Sequence, residues 1–405
     1  MLFHTLLSLA VVLAATASPL VVRSGPITLP LARHLNLTGG SARMLQNDQA
    51  RARAFKAGSF AQDAAVPVPV TGNAVSYLAE VNIGKSTTPY SLIVDTGSSN
   101  TWVGAQGRDW SAGGCTDELM EISYGSGSFV GNYCQDTVTI GGAGGLQIKN
   151  QGIGNAALTE GFSDVDGILG IGPTGLTSGT TLNHSTIPTV TDNAFDQDLI
   201  SSPEVGVLFT PSTSTSSTDG ELTFGGVDSS ALIGSVSYVP ITKTSPASKY
   251  WGIDQSITYG SGSESSTILA STAGIVDTGT TLVLIASDAF QKYQTATGGV
   301  KDSNTGLLSI TSDQYARLQS LFFSTSGGVF ELTPNAQIWP RSLNTAIGGA
   351  ANGIYLIVGD LESNSGEGLD FINGMKFLER YYSVYDTQGE RVGLSSTEYT
   401  FATSN

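Results

Sequence analysis

From about Val66 onward the apolar positions fall in short runs, Tyr77 to Ile83, Tyr90 to Val94 and Thr137 to Ile140 among them. Turn residues punctuate these runs roughly every 8 to 12 positions, which predicts many short β-strands. Helical periodicity is confined to Ile187 to Gln197, Ser287 to Gly298, Thr311 to Phe322 and Gly374 to Tyr381. The expected class is therefore all-β with short helices. The Ser/Thr tracts Ser212 to Asp219 and Ser261 to Ser266 read as exposed loops rather than domain linkers.

One pattern occurs twice. Leu92-Ile93-Val94-Asp95-Thr96-Gly97-Ser98-Ser99 returns as Gly274-Ile275-Val276-Asp277-Thr278-Gly279-Thr280-Thr281, with 182 residues between equivalent positions. A solenoid repeats at a far shorter period, so the echo predicts one duplication of a whole lobe. Each copy runs from a buried apolar strand into Asp-Thr-Gly, where glycine permits a tight reversal directly after the acid. Both aspartates are thereby expected at strand ends.

Charge divides the chain. Of 18 basic and 34 acidic residues, six basic and one acidic lie between Ser18 and Ala57, leaving 12 and 33 beyond it. A body carrying about −21 repels nucleic acid and anionic membrane, so neither is an expected partner. Residues 1–17 read as a signal peptide, with an apolar run from Leu6 to Ala15 that is too short to span a bilayer. The basic stretch 18–63 follows it, and the C-terminal residues carry no hydrophobic tail. A secreted, extracellular protein is expected. Cys115 and Cys134, the only cysteines, then read as a disulfide in preference to two buried thiols. Asn36 and Asn183 each open a glycosylation triplet, and only Asn183 lies beyond the basic stretch.

Elimination narrows the chemistry. Past residue 63 the only histidine is His184, inside a Thr/Ser/Asn-rich loop. That argues against Ser/His or Cys/His nucleophiles, and one histidine beside a disulfide cannot build a three-ligand zinc site. No metal and no cofactor are expected. What remains is carboxylate chemistry. Two carboxyls about 3 Å apart cannot both ionise and so share a proton, leaving one to take a proton from water and the other to polarise a carbonyl. Asp95 and Asp277 are the candidate pair. An acid glycosidase also uses two carboxylates, but it gives no reason for the duplicated Thr-Gly.

With these residues in view, the sequence from Val66 to Asn405 resembles the pepsin family of aspartic peptidases, its fungal polyporopepsin branch in particular. Tyr124-Gly125-Ser126-Gly127 is similar to the family's flap, Trp102 to the tryptophan that bonds the flap tyrosine, and Val165 to Gly170 to the strand beneath the first aspartate. The resemblance implies a bilobal double β-barrel, 64–236 and 237–405, with the active site in the cleft between lobes. It implies that Thr96 and Thr278 lock the two acids together, that Ser98 and Thr280 donate to them, and that Gly97 and Gly279 leave room for substrate. It further implies that Tyr124, Gly125 and Ser126 close over an extended polypeptide, that Ile93, Tyr124, Val165 and Ile168 line the primary pocket, and that pepstatin-type inhibitors bind there. A monomer is the expectation, with 18–63 acting as an inhibitory pro-segment whose Lys56 or Arg33 lies near the aspartates. A catalytically dead binding relative is disfavoured because both Asp-Thr-Gly motifs are whole. One departure stands out: Ile372-Asn373-Gly374 takes the place of the second lobe's crossing strand, so polar Asn373 stands where an aliphatic residue is usual.

Overall fold

The structure is a computed structural model, described over residues 25–34, 41–58, 76–86, 88–107, 114–125, 127–142 and 144–405. The expected signal peptide and the stretch 59–75, which holds the expected end of the pro-segment, lie outside the described residues. The first half runs β1 (Ile27–His34), α1 (Ser41–Ala57), β2 (Ser76–Ile83), β3 (Tyr90–Asp95), β4 (Thr101–Val103), β5 (Cys115–Tyr124), β6 (Gly127–Ile140), β7 (Leu146–Glu160) and β8 (Gly167–Gly170). There follow α2 (Val190–Asp196), β9 (Glu204–Leu208), β10 (Ser216–Phe224), β11 (Ile233–Pro240), β12 (Gly252–Tyr259), β13 (Ser266–Val276), β14 (Val283–Ile285) and α3 (Ser287–Thr297). A 13-stranded sheet carries β11, Arg391–Ser396, Tyr381–Asp386, β9, β10, β1, β2, β3, β8, β4, β7, β6 and β5 in spatial order, and a seven-stranded sheet is built around β12, β13 and β14. The protein is mostly β, as its short apolar runs and turn punctuation predict.

The two lobes repeat one device. In the first, β3 pairs in parallel with β8, Asp95 opposite Gly170; in the second, β13 pairs in parallel with Phe371–Asn373, Val276 opposite Asn373. Asp166 accepts from the Ser91 amide at 2.9 Å and donates its own to the Ser91 carbonyl. Asp370 does the same work in the second lobe, accepting from the Thr272 hydroxyl and donating its amide to the Ala273 carbonyl. The second lobe's crossing strand is thus the one ending at Gly374, while Val358–Asp360 pairs with β14 instead. Asn373 is fully buried. It exchanges reciprocal amide hydrogen bonds with Gln255, at 2.9 and 3.1 Å, which satisfies both side chains where an aliphatic residue would pack.

The helices differ from the expectation in extent. α2 begins later than the periodicity suggests because Thr189 and Asp192 form a capping box, and α3 stops where Gly298 turns left-handed. The expected helix from Thr311 to Phe322 shrinks to Ser312–Tyr315, since Leu321–Thr325 is recruited into the sheet beside β12. That from Gly374 to Tyr381 shrinks likewise to Met375–Leu378 before a strand begins at Tyr381. The longest helix among the described residues, α1, is not predicted: its apolar residues are sparse among Arg, Gln and Ala, so helical periodicity is hard to see. β1 is also unexpected. It occupies a place between β10 and β2 rather than lying across a cleft. Among the described residues no helix is long and apolar enough to cross a membrane.

Candidate active site

β3 ends on Asp95, and Asp277 follows directly after β13. The two Asp-Thr-Gly turns meet face to face across the lobe boundary. The Thr96 amide donates to the Thr278 hydroxyl and the Thr278 amide to the Thr96 hydroxyl, each at 2.9 Å. Thr278 Oγ1 goes on to donate to the Val94 carbonyl at 3.0 Å, so each turn is pinned by the backbone of the other. Within each turn a hydroxyl and an amide hold the carboxylate: Ser98 Oγ and the Gly97 amide donate to Asp95 at 2.5 and 3.0 Å, Thr280 Oγ1 and the Gly279 amide to Asp277 at 2.6 and 3.2 Å. A Cβ on Gly97 would stand 2.6 Å from an Asp277 oxygen, and one on Gly279 2.5 Å from an Asp95 oxygen. Only glycine lets the two carboxyls approach.

The hairpin expected to act as the flap is built from β5 and β6. β5 and β6 pair Tyr124 opposite Gly127, and the tie at their other end is a disulfide between Cys115 and Cys134, directly opposed across the ladder. Trp102 Nε1 donates to the Tyr124 hydroxyl at 2.8 Å. Phe162, which the sequence did not single out, sets its ring edge-on to both Trp102 and Tyr124. Ile93 stands two residues before Asp95 in β3, opposite Ile168 of β8; with Val165, both are buried while α1 is in place. Ser126 lies outside the described residues. Asn183 sits well away, on an exposed turn.

A group the sequence did not pick out occupies the centre. Arg51 of α1 contacts both aspartates: its Nε donates to Asp277 at 2.8 Å, and one terminal nitrogen donates to Asp277 at 3.1 Å and also to Asp95. Lys56 and Arg33, the residues favoured from sequence, are elsewhere. Lys56 pairs with Glu367 at 3.0 Å, and Arg33 is buried in β1 with its guanidinium 3.9 Å from Glu379. Burial lifts the Asp95 carboxyl above the usual range; Arg51 pulls it back and the charge of Asp277 adds to the rise. Burial disfavours the Arg51 cation, yet Asp277 and Asp95 more than offset this and hold it protonated.

α1 is fastened along its length. Asp48 accepts from the Thr281 and Leu282 amides at 3.1 and 2.9 Å, Gln49 donates to the Asp360 carbonyl, and Arg53 pairs with Glu362. Phe55 packs edge-on to Tyr250, with Arg51 over its face. A side chain on Gly125 of the flap would collide with the Ala50 carbonyl. The nearest sequence signal for this docking is that Asp48 is the single acid between Ser18 and Ala57.

Known proteins of similar sequence and fold identify the family. The sequence model of the family described as "Eukaryotic aspartyl protease" matches residues 76–120 and 111–397. Polyporopepsin of Irpex lacteus is 60% identical over 346 residues, covering 84% of this chain and 100% of that protein. Rhizopuspepsin of Rhizopus chinensis is 31% identical, covering 88% and 93%. The crystal structure of aspartic proteinase from Irpex lacteus superposes with a TM-score of 0.80 at 52% identity, covering 94% of this chain and 100% of that one. Matched by family model across most of its length, and by a relative of high identity whose fold it shares, the chain belongs to the eukaryotic aspartyl proteases and is a pepsin-type aspartic endopeptidase.

Proposed function

We propose that this chain is the precursor of a secreted, acid-active endopeptidase in which Asp95 and Asp277 share one proton and activate one water, and in which residues 18–63 shut the cleft until they are removed. Aspartic proteases are the standard case of two carboxyls kept from ionising together by their closeness. With α1 away, the ionised member takes a proton from the water as its oxygen attacks the peptide carbonyl, and the protonated member donates to the carbonyl oxygen. The donors at Ser98, Gly97, Thr280 and Gly279 fix both carboxyls in place, so little reorganisation is needed as charge develops. Extended peptides enter between flap and dyad, bound largely through their main chain.

The observation that carries the reading is Arg51: a cation delivered by a helix spans both aspartates and takes the space a water and a substrate carbonyl need. On this reading 1–17 is the signal peptide, 64–236 and 237–405 are the two lobes, and the cut that frees the helix falls between about Ala57 and Val66, in the stretch just after α1. The test is haemoglobin hydrolysis by the purified full chain. Expected are no hydrolysis at pH 7 and, after exposure to pH 3, a shortened chain whose hydrolysis pepstatin stops. Hydrolysis indifferent to pepstatin, or equal before and after acid, would overturn it.

A further inference from the structure

Outside the cleft, the base of the flap hairpin carries a feature that catalysis does not use. Thr116, Asp117, Glu118 and Leu119 of β5, with Leu182 and Asn183, line an open hollow of about 510 Å³. Leu182 is 75% exposed and Leu119 42% exposed, so two large aliphatic side chains face water side by side. Asn183 opens the triplet Asn183-His184-Ser185 and is exposed, as is Ser185. Its turn is anchored: the Asn183 amide donates to Glu118 at 2.7 Å, the His184 ring bonds the same carboxylate, and Thr181 bridges to Met120. Among the described residues the Asn183 side-chain amide has no hydrogen-bond partner.

We infer that Asn183 carries an N-linked glycan whose first sugars lie in this hollow against Leu119 and Leu182. The occupant follows from the attachment point, because the asparagine is itself part of the hollow's wall. An N-acetylhexosamine ring has an apolar C–H face, which suits the two leucines, and a polar edge, which suits Thr116 and Asp117. In the transfer, Asn183 Nδ2 bonds to C1 of a lipid-diphosphate-linked oligosaccharide and loses one proton. The C1–O bond breaks and the diphosphate keeps the electron pair. The sugar would tie β5 to the 181–185 turn, which bridges to β5 at Met120 and packs its His184 ring against Tyr133 of β6.

The inference rests on the proposed secretory route, and one experiment separates the two. The full chain is expressed in yeast, and medium and cells are assayed before peptide mapping with and without endoglycosidase. The expected result is protein in the medium with Asn183 modified, modification lost in Asn183→Gln and Ser185→Ala and kept in Ser185→Thr. Enzymatic removal of the glycan should raise amide exchange in residues 116–120 by about threefold and lower the melting midpoint by about 2 °C. Protein retained in the cells defeats the secretory reading. Secreted protein with bare Asn183 defeats the glycan, and a glycan whose removal changes neither exchange nor melting defeats its seat in the hollow.

Discussion

Asn373 is a polar residue in a position built for an aliphatic one, and Gln255 across the sheet accounts for it. Each amide gives the other a donor and an acceptor inside the buried core. Removing one partner strands the other. Asn373→Leu is therefore expected to cost about 1–3 kcal/mol, because the Gln255 amide stays buried and unbonded. Replacing both, Gln255→Leu with Asn373→Leu, should recover most of the loss by making the pair apolar. Thermal melting of the three variants decides it. A double variant no more stable than the single one would mean that the two amides do not act as a unit.

Among the elements, the flap hairpin and α1 carry the most specific consequences. The disulfide closes a loop between residues 19 apart in sequence; its removal by Cys115→Ala with Cys134→Ala should cost roughly 3 kcal/mol by freeing the unfolded chain. A melting midpoint within about 1 °C of the parent would contradict that. α1 holds a group that opposes its own release by acid. Burial raises Asp48 to about 7, against the two backbone amides that favour its charge; Asp277 adds to the rise and Arg51 opposes it. The free side chain titrates near 3.9. The docked helix therefore binds a proton that the free chain does not between about pH 4 and 7, and Asp48's contribution strengthens as pH falls through that window and is lost as pH rises. Acid release, on the proposed reading, falls to contacts other than that of Asp48. In an Asp95→Asn background, Asp48→Asn should flatten the change of melting temperature between pH 4 and 7. An unaltered slope would show that Asp48 does not titrate there.

Those same elements mark what the sequence could and could not reveal. The Asp-Thr-Gly turns were legible because glycine and the preceding apolar triplet recur in register, and the hairpin because two cysteines bracket its tip. The second lobe's crossing was harder to read, since Asp370-Phe371-Ile372-Asn373-Gly374 keeps just the acid, one isoleucine and the glycine of Asp166-Gly167-Ile168-Leu169-Gly170. α1 was not legible. Its stability comes from what it packs on, with Met44, Leu45, Ala52 and Phe55 buried by the body, while the stretch itself is mostly Arg, Gln and Ala. Arg51 could not be told from Arg33, Arg53 or Lys56 by charge alone. Distance from the aspartates is set by the helix register, which local sequence does not disclose.

At the scale of the whole molecule, two similar lobes bring one carboxyl each to a shared centre and lock it with threonines that bond across the boundary. A body of net negative charge then receives a basic helix whose arginine lies on both acids. On the proposed reading each aspartate is indispensable, since a single carboxyl cannot supply both the base and the acid. The most direct measurement is haemoglobin hydrolysis at pH 3 by Asp95→Asn and Asp277→Asn, with their melting temperatures checked against the parent chain. The account predicts that both isosteric variants stay folded and hydrolyse nothing measurable, and that each, acidified alone, keeps its full length. Hydrolysis within about tenfold of the parent by either variant, a loss of less than about 1.4 kcal/mol in transition-state stabilisation, would contradict it.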